Sequence, residues 1–308
     1  MGVVVALRGL GLGGAALLAL SGCGKKTPAP AGSASASASI FKPAAPVASG
    51  MPGAPEAISK VVNPQNEPAY AGPTGSVKGL VTAKGDPPPV ATVHLSKIKG
   101  ACLEGRELYG HVFREGMMRS LADVLVAVTG YSGYVPEKEP REIVAARGCA
   151  FSTRTVALTF GQTVDVVSKD GDGYAPNLLG AHMKAQLLAL PGGPPSTLYP
   201  PEPGHYILTD DIKVFMLADV FVVKYATHDV TSLDGRYEIK GIPVGKARIS
   251  ALLPATQQVV ERDIEIKAGE ALELPLEIPF DAKAFAAAAA APPPATSAAP
   301  ASSVAPKH

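Results

Sequence analysis

The chain has 308 residues and a formal net charge of +1 at pH 7, with acidic and basic residues interspersed along it. It has no basic stripe with interleaved aromatic residues, which argues against nucleic acid as a partner. Tryptophan is absent, so a carbohydrate platform built from stacked indole rings is disfavoured as well. Residues 74–280 differ in composition from both ends and suffice for one large domain or two small ones.

The N-terminus combines one basic residue, an apolar run and small residues before a cysteine. Arg8 precedes the apolar run 9–20, and Leu-Ser-Gly leads into Cys23. This run is too short to span a bilayer and is typical of a secretory signal. The cysteine makes the segment resemble a bacterial lipoprotein signal, which implies that Cys23 carries lipid, palmitate included, and becomes the mature N-terminus. The alternative is an ordinary signal peptide with an incidental cysteine.

The signal predicts a cell-envelope protein that is lipid-anchored and either periplasmic or surface-exposed. Gly24 is not the aspartate associated with inner-membrane retention in many enteric bacteria, so the outer membrane is the favoured destination. Segment 24–73 is rich in Pro, Ala and Ser and has few large apolar residues to offset the entropy of ordering it. We predict a disordered linker there and a disordered Ala/Pro tail at 281–308. The alanine run 285–291 allows a turn or two of helix.

Three cysteines are present, and the signal assigns Cys23 to lipid. Cys102 and Cys149 remain, and two thiols in an oxidising compartment predict a disulfide. A bridge over this separation contributes about 4 kcal/mol in the chain-entropy model. The alternatives are two reduced buried thiols or a catalytic cysteine, although neither cysteine has a histidine close to it in sequence.

Residues 74–280 contain many short strand signals separated by turn residues. Alternating or β-branched runs of this kind predict an all-β sandwich. A helix is predicted only near 177–190. The predicted strands are 76–81, 92–95, 123–128, 155–160, 163–167, 214–223, 236–239, 247–249, 258–266 and 272–278. The apolar run 214–223 suits a strand that is buried on both faces.

A first family resemblance rests on the segment 231–250. An Asp-Gly turn at Asp234 leads into an alternating strand, a Pro/Gly turn near Pro243 and another strand. The pattern resembles the carboxypeptidase-regulatory-like, transthyretin-like module of secreted bacterial proteins. The opening strand 75–82 resembles the first strand of that module. Such modules are generally non-catalytic, so this resemblance implies a binding or structural role.

A second resemblance extends from about 75 to 253 and is centred on Cys149 and the segment 161–170. These residues resemble the middle of a secreted cupredoxin-type family, often labelled methylamine-utilisation-like or plastocyanin-like. The resemblance implies a Greek-key, cupredoxin-like β-sandwich. In that family a His-Asn pair and a Cys-Asp-x-His-x-Trp-Met segment supply two imidazoles, a thiolate and a weak axial methionine to copper.

The sequence departs from this family where the copper ligands would lie. Pro176 stands at the first histidine position, Asp210 at the cysteine and Lys213 at the second histidine. Phe215 replaces the tryptophan, and Met216 alone survives of the ligand set. Because a thioether alone does not hold copper, we predict that the fold is retained and the copper centre lost.

Other candidate sites are weaker. His182, Met183, His205 and Met216 could regroup as a soft copper site, which leaves copper handling or electron transfer as an alternative function. The segment 169–173 lacks the oxygen ligands of a calcium loop. Adjacent Asp210 and Asp211 would point to opposite faces of a strand. Ser132 lies in no nucleophile elbow.

The sequence therefore predicts a membrane-anchored, non-enzymatic β-sandwich that binds or scaffolds, with no catalytic residue, metal or cofactor. Its partners would be the membrane, through the N-terminal lipid, and an envelope protein or polysaccharide. A polysaccharide-binding accessory module is the third functional class, and it rests on the transthyretin-like pattern alone.

Overall fold

The computed structural model describes residues 48–49, 53–181 and 187–290, and most of its elements are β-strands. The predicted all-β fold is confirmed. The strands are β1 (Ala48–Ser49), β2 (Thr74–Gly85), β3 (Leu125–Thr129), β4 (Arg141–Arg147), β5 (Ala150–Phe151), β6 (Thr155–Thr159), β7 (Thr163–Ser168), β8 (Pro176–Leu179), β9 (Ser196–Leu198), β10 (Gly204–Asp210), β11 (Leu217–Val223), β12 (His228–Val230), β13 (Arg236–Pro243), β14 (Gly245–Leu253), β15 (Gln258–Ile266), β16 (Ala271–Glu273) and β17 (Leu276–Phe280). The helices are α1 (Pro55–Val62), α2 (Thr92–Leu95), α3 (Leu103–Tyr109) and α4 (Ala282–Ala290), with 3-10 turns at Met117–Arg119 and Pro254–Thr256.

The first of two hydrophobic clusters lies between a sheet of order β1-β9-β7-β4-β5 and a sheet of order β6-β11-β10-β8. We call this unit sandwich 1. Strand β11 was expected to start at 214 and to be buried on both faces. It starts instead at Leu217, and burial alternates along it through Ala218, Val220 and Val222. One face of the strand therefore joins the cluster, as the two-residue period of a pleated strand requires.

The second hydrophobic cluster lies between a sheet of order β12-β3-β14-β15 and one of order β13-β2-β16, in which β17 also pairs with β2. We call this unit sandwich 2. Strands β4–β11 of sandwich 1 are inserted in the chain between β3 and β12. The two segments with the transthyretin-like resemblance come together here, because β2 and β13 pair antiparallel with Val77 opposite Ile239.

One buried carboxylate connects the segment before β3 to the start of β6, and so joins the two sandwiches. Asp123 forms a two-pronged ion pair with Arg114, with both N–O distances at 2.6 Å. The same carboxylate accepts hydrogen bonds from the Thr153 hydroxyl at 3.0 Å and the Arg154 amide at 2.9 Å. The Thr155 hydroxyl donates to the Asp123 carbonyl at 2.8 Å. Buried, bidentate contacts of this kind hold the junction in one arrangement.

Two secondary-structure predictions were wrong. The predicted strand 92–95 is helix α2, closed by hydrogen bonds from Leu95 and Ser96 to the carbonyls of Ala91 and Thr92. Thr92 and Val93 are β-branched and favour a strand, but tertiary contacts outweigh that preference. The predicted helix near 177–190 begins instead as β8, which pairs with β10. Residues 182–186 lie outside the described residues.

The linker and tail predictions need correction at their inner ends. Helix α1 lies within the predicted linker, and its Ile58, Val61 and Val62 pack on the cluster of sandwich 1. Gly161 makes this possible, because a Cβ there would come within 2.8 Å of the Ile58 side chain. Helix α4 lies within the predicted tail, and Phe285 packs on sandwich 2. A few well-placed apolar side chains order both segments. Residues 24–47 and 50–52 of the linker and 291–308 of the tail lie outside the described residues.

Candidate functional site

The residues that the sequence resemblance aligns with copper ligands meet at one end of sandwich 1. Pro176 begins β8 and pairs in register with Asp210, the last residue of β10. Lys213 and Met216 lie in the turn that joins β10 to β11, and Met216 is fully buried. The structure therefore brings these residues together.

Asp210, at the position of the copper thiolate, is held by backbone amides. Its side chain has no solvent exposure. One carboxylate oxygen accepts a hydrogen bond from the Ala175 amide at 2.6 Å. The other accepts from the Ile212 amide at 3.0 Å and the Lys213 amide at 2.6 Å. Because a carboxylate offers about four lone-pair positions, three amides occupy most of its capacity. The arrangement ties β8 to the β10–β11 turn.

Lys213, at the position of the second copper histidine, is held by protein partners. Its ammonium donates to the Gly173 carbonyl at 3.1 Å and lies 3.5 Å from the Asp172 carboxylate. It also lies 4.1 Å from the centre of the Tyr174 ring, which is a favourable cation–π distance. A protonated amine has no lone pair to offer a metal. The residues present therefore do not fit a blue-copper centre.

The turn 170–174, which contacts Lys213, is itself held by hydrogen bonds. The Asp170 carboxylate accepts from the Tyr174 hydroxyl and the Gly148 amide, both at 2.7 Å. Burial acts to raise the pKa of Asp170, but the hydrogen bonds from Tyr174, Gly148 and Asp172 outweigh it and hold that pKa below its ordinary value. Burial, together with the bond to Asp170, raises the pKa of Tyr174. The Asp170 carboxylate is therefore occupied by protein groups that hold the turn together.

The alternative copper ligands are only partly described. His182 and Met183 lie outside the described residues. His205 forms a 2.7 Å contact with Asp219 and stacks on Phe221 at 4.5 Å. His205 pairs in register with Phe221, which lies four residues beyond Leu217, the residue that follows Met216. Four residues of a strand span about 13 Å. The structure does not bring His205 and Met216 together.

Cys102 and Cys149 form the predicted disulfide. Cys102 immediately precedes α3, and Cys149 lies in the tight turn between β4 and β5. Both are buried, so the bridge fastens α3 to the edge of sandwich 1. Cys23, the predicted lipid site, lies outside the described residues.

Two negative findings apply to the described ranges alone. Within 48–49, 53–181 and 187–290, no three His, Cys, Asp or Glu side chains are grouped so that they could hold a metal ion. No helix in these same ranges is both long and apolar enough to cross a bilayer.

A cleft of about 1290 Å³ between the sandwiches was not predicted. Phe113 and Phe151 contribute to its apolar surface, and Arg106, Glu107 and Lys169 to its charged surface. Its lining comes from separate stretches of chain, none of which carries a motif. The mixture of charges indicates no single ligand class.

A second cleft, of about 620 Å³, gathers titratable groups at the junction. Burial, followed by repulsion from Glu137 and Asp229, raises the pKa of Glu142. Burial also raises the pKa of Asp229 and lowers the pKa of His228. The His228 ring lies 3.2 Å from the Thr159 hydroxyl. The charge at this junction therefore depends on pH.

No family model matches the sequence, and no curated protein sequence matches it significantly. Among solved structures, the amicyanin of Paracoccus versutus matches with 16% identity and a TM-score of 0.23, over 26% of this chain and 78% of that one. A pseudoazurin from Sinorhizobium meliloti matches with 20% identity and a TM-score of 0.23, over 28% and 76%. An oxidised amicyanin mutant matches with 14% identity and a TM-score of 0.25, over 32% and 97%. Both proteins are cupredoxins, the class that the sequence resembles. The matches cover a third of this chain or less, so a function for it must rest on its own side chains.

Proposed function

We propose that this protein is a lipid-anchored, extracytoplasmic β-sandwich that binds or scaffolds without catalysis. In this proposal, sandwich 1 is a cupredoxin-like fold whose copper site has degenerated. The observation that carries it is the state of Asp210 and Lys213. Each occupies a ligand-equivalent position, and each is engaged by protein groups.

The chemistry of that end favours holding the protein's own loops together. Asp210 joins β8 to the β10–β11 turn, and Lys213 joins that turn to the segment around Gly173. A bound metal would also hold separate loops together, because its ligands come from different segments. Here hydrogen bonds hold these loops together. A rigid end without an open coordination position suits presentation of a surface better than redox chemistry.

Restoring the missing ligands tests the proposed ancestry of the site. The triple variant Pro176→His, Asp210→Cys and Lys213→His, with Met216 retained, should gain intense visible absorption on addition of copper(II), because it supplies two imidazoles, a thiolate and a thioether. The wild-type protein should show none. A folded triple variant that binds no copper would contradict the assignment of these positions.

Anchoring through Cys23 is tested separately. Cells expressing the wild-type protein should incorporate labelled palmitate into it, and the Cys23→Ser variant should incorporate none. Complete membrane association of the Cys23→Ser variant would contradict lipid anchoring.

Glycan binding is a second candidate function, because a cleft of about 390 Å³ beside α1 is lined by Tyr131, Tyr134 and Tyr225. Tyrosine combines an apolar ring with a hydroxyl that can hydrogen-bond. Burial raises the pKa of Tyr225 above its ordinary value. A glycan array probed with the wild-type protein and with Tyr225→Ala tests this candidate, and it predicts binding that the variant loses.

A further inference from the structure

Five aliphatic side chains at one end of sandwich 1 are between 53% and 72% exposed. Together they form the surface that we call the end patch. Contiguous apolar surface on a folded protein marks a site of interaction with another molecule or a membrane. The end patch consists of Val93, Leu188, Leu190, Ile212 and Val214.

Contacts within the fold place the β10–β11 turn beside the 188–190 segment. Lys213 turns inward to the Gly173 carbonyl, which leaves Ile212 and Val214 exposed on either side of it. The Leu190 side chain lies 3.6 Å from where a Cβ of Gly173 would stand. Between Leu188 and Leu190, the buried Ala189 pairs with Tyr174, so both leucines face outward.

Helix α2 adds the fifth side chain. The His94 ring lies 3.2 Å from the Phe215 carbonyl, which holds α2 against the β10–β11 turn. Val93 is the preceding residue and is 72% exposed. The patch therefore draws on three segments that are far apart in the sequence.

The charges and composition around the patch suit an anionic lipid surface. Lys97 and Lys99 are exposed on the segment that follows α2, although Asp172 and Asp211 also lie in this region. Aliphatic side chains next to lysines are typical of surfaces that enter the headgroup region of a membrane. Protein–protein interfaces are instead depleted in lysine.

The chain also enters the sandwich from the patch end. Strand β1 runs parallel to β9, with Ala48 opposite Thr197, and β9 runs antiparallel to β7, with Ser196 opposite Val166. Followed backward, β1 therefore points to the end at which β7 finishes. The segment that follows β7 contains Gly173, the partner of Lys213. Segment 24–47 has 24 residues and follows Cys23, the proposed lipid site, directly.

We propose that the end patch rests on the surface of a lipid bilayer, so that the anchored protein has a fixed orientation. This deepens the proposed anchoring by assigning a second membrane contact. The predicted tether leads away from the same end, and the patch supplies aliphatic side chains bordered by lysines.

A single introduced tryptophan tests this contact, because the natural chain has none. Chain 23–308, with its disulfide intact, has Cys23 as its free thiol and can be coupled to vesicles that contain a maleimide lipid. On phosphatidylcholine–phosphatidylglycerol vesicles, Val214→Trp should show a blue-shifted emission that brominated acyl chains quench. Val259→Trp is the matched control, since Val259 is 52% exposed on β15 of sandwich 2. Its emission should not change.

A second pair of variants keeps the test independent of tryptophan. In vesicle sedimentation of chain 24–308, which lacks the coupling cysteine, Ile212→Asp with Val214→Asp should lower partitioning about tenfold or more, and Val259→Asp should leave it unchanged. Circular dichroism must show that all variants are folded. Equal emission of Val214→Trp on and off vesicles would overturn the proposal. A blue shift that grows with protein concentration in the absence of lipid would also overturn it, and would assign the patch to contact between copies of the chain. The maleimide coupling does not require that cells lipidate Cys23. A failure of this membrane-contact test can therefore be distinguished from a failure of the palmitate-labelling test.

Discussion

Replacing Asp210 with alanine removes the hydrogen-bond acceptor that holds the end of sandwich 1. Three amides then lose their partner, those of Ala175, Ile212 and Lys213. A donor left unpaired in a buried site costs about 1–3 kcal/mol, and a partly exposed donor costs less because water can replace the acceptor. At about 1 kcal/mol for each amide, we expect a loss of about 3 kcal/mol in the free energy of unfolding.

Urea unfolding followed by circular dichroism measures this loss. With an m-value of about 3 kcal/mol/M, the midpoint should fall by about 1 M. Asp263→Ala is the matched control, because the Asp263 side chain is 79% exposed and pairs with Arg248 on the surface. That change should cost well under about 1 kcal/mol. If Asp210→Ala lowers the midpoint no more than the control does, the carboxylate does not hold these loops together.

Three further outcomes are expected. Mass spectrometry without reduction should recover Cys102 and Cys149 in linked peptides, and replacing both by alanine should cost up to about 4 kcal/mol; free thiols in the native protein would contradict the bridge. Stability should fall as the pH drops below about 6.5, because burial lowers the folded-state pKa of His228 and the unfolded chain takes up the proton first. Glu142, whose folded-state pKa is raised, acts in the opposite sense, so His228→Gln should flatten the decline between pH 7.5 and 5.5, and an unchanged profile would refute the assignment. Limited proteolysis of chain 24–308 should leave a resistant fragment close to 53–290, whereas early cuts within the strands would contradict it.

Strand signals predicted most of the β-structure because alternation reports a half-buried strand directly. The predicted 258–266 coincides with β15, in which burial alternates at the end of the strand, with Glu265 exposed between Ile264 and Ile266. Helix α2 was missed because Thr92 and Val93 favour strands, while the contact between His94 and the Phe215 carbonyl is invisible in the sequence. The division into two sandwiches was hidden as well. A strand signal does not say which sheet the strand joins, and β4–β11 interrupt the strands of sandwich 2.

The candidate site was predicted in position but not in chemistry. The alignment of Pro176, Asp210 and Lys213 with the ligands of one copper centre implied that they lie close together, and the register of β8 with β10 places Pro176 beside Asp210. The hydrogen bonds that hold Asp210 and Lys213 involve backbone amides and the Gly173 carbonyl, which carry no sequence signal of their own. The clefts and the end patch likewise depend on contacts between distant segments.

Copper content after loading tests the central claim most directly. Chain 24–308 is incubated with copper(II) and, separately, with copper(I) under a reductant that leaves the disulfide intact, then desalted and analysed for metal. We predict that neither state is retained stoichiometrically, because Asp210 and Lys213 are engaged by protein groups and His205 is distant from Met216. One tightly held copper per chain that is lost in Met216→Ala would contradict the account and favour copper handling.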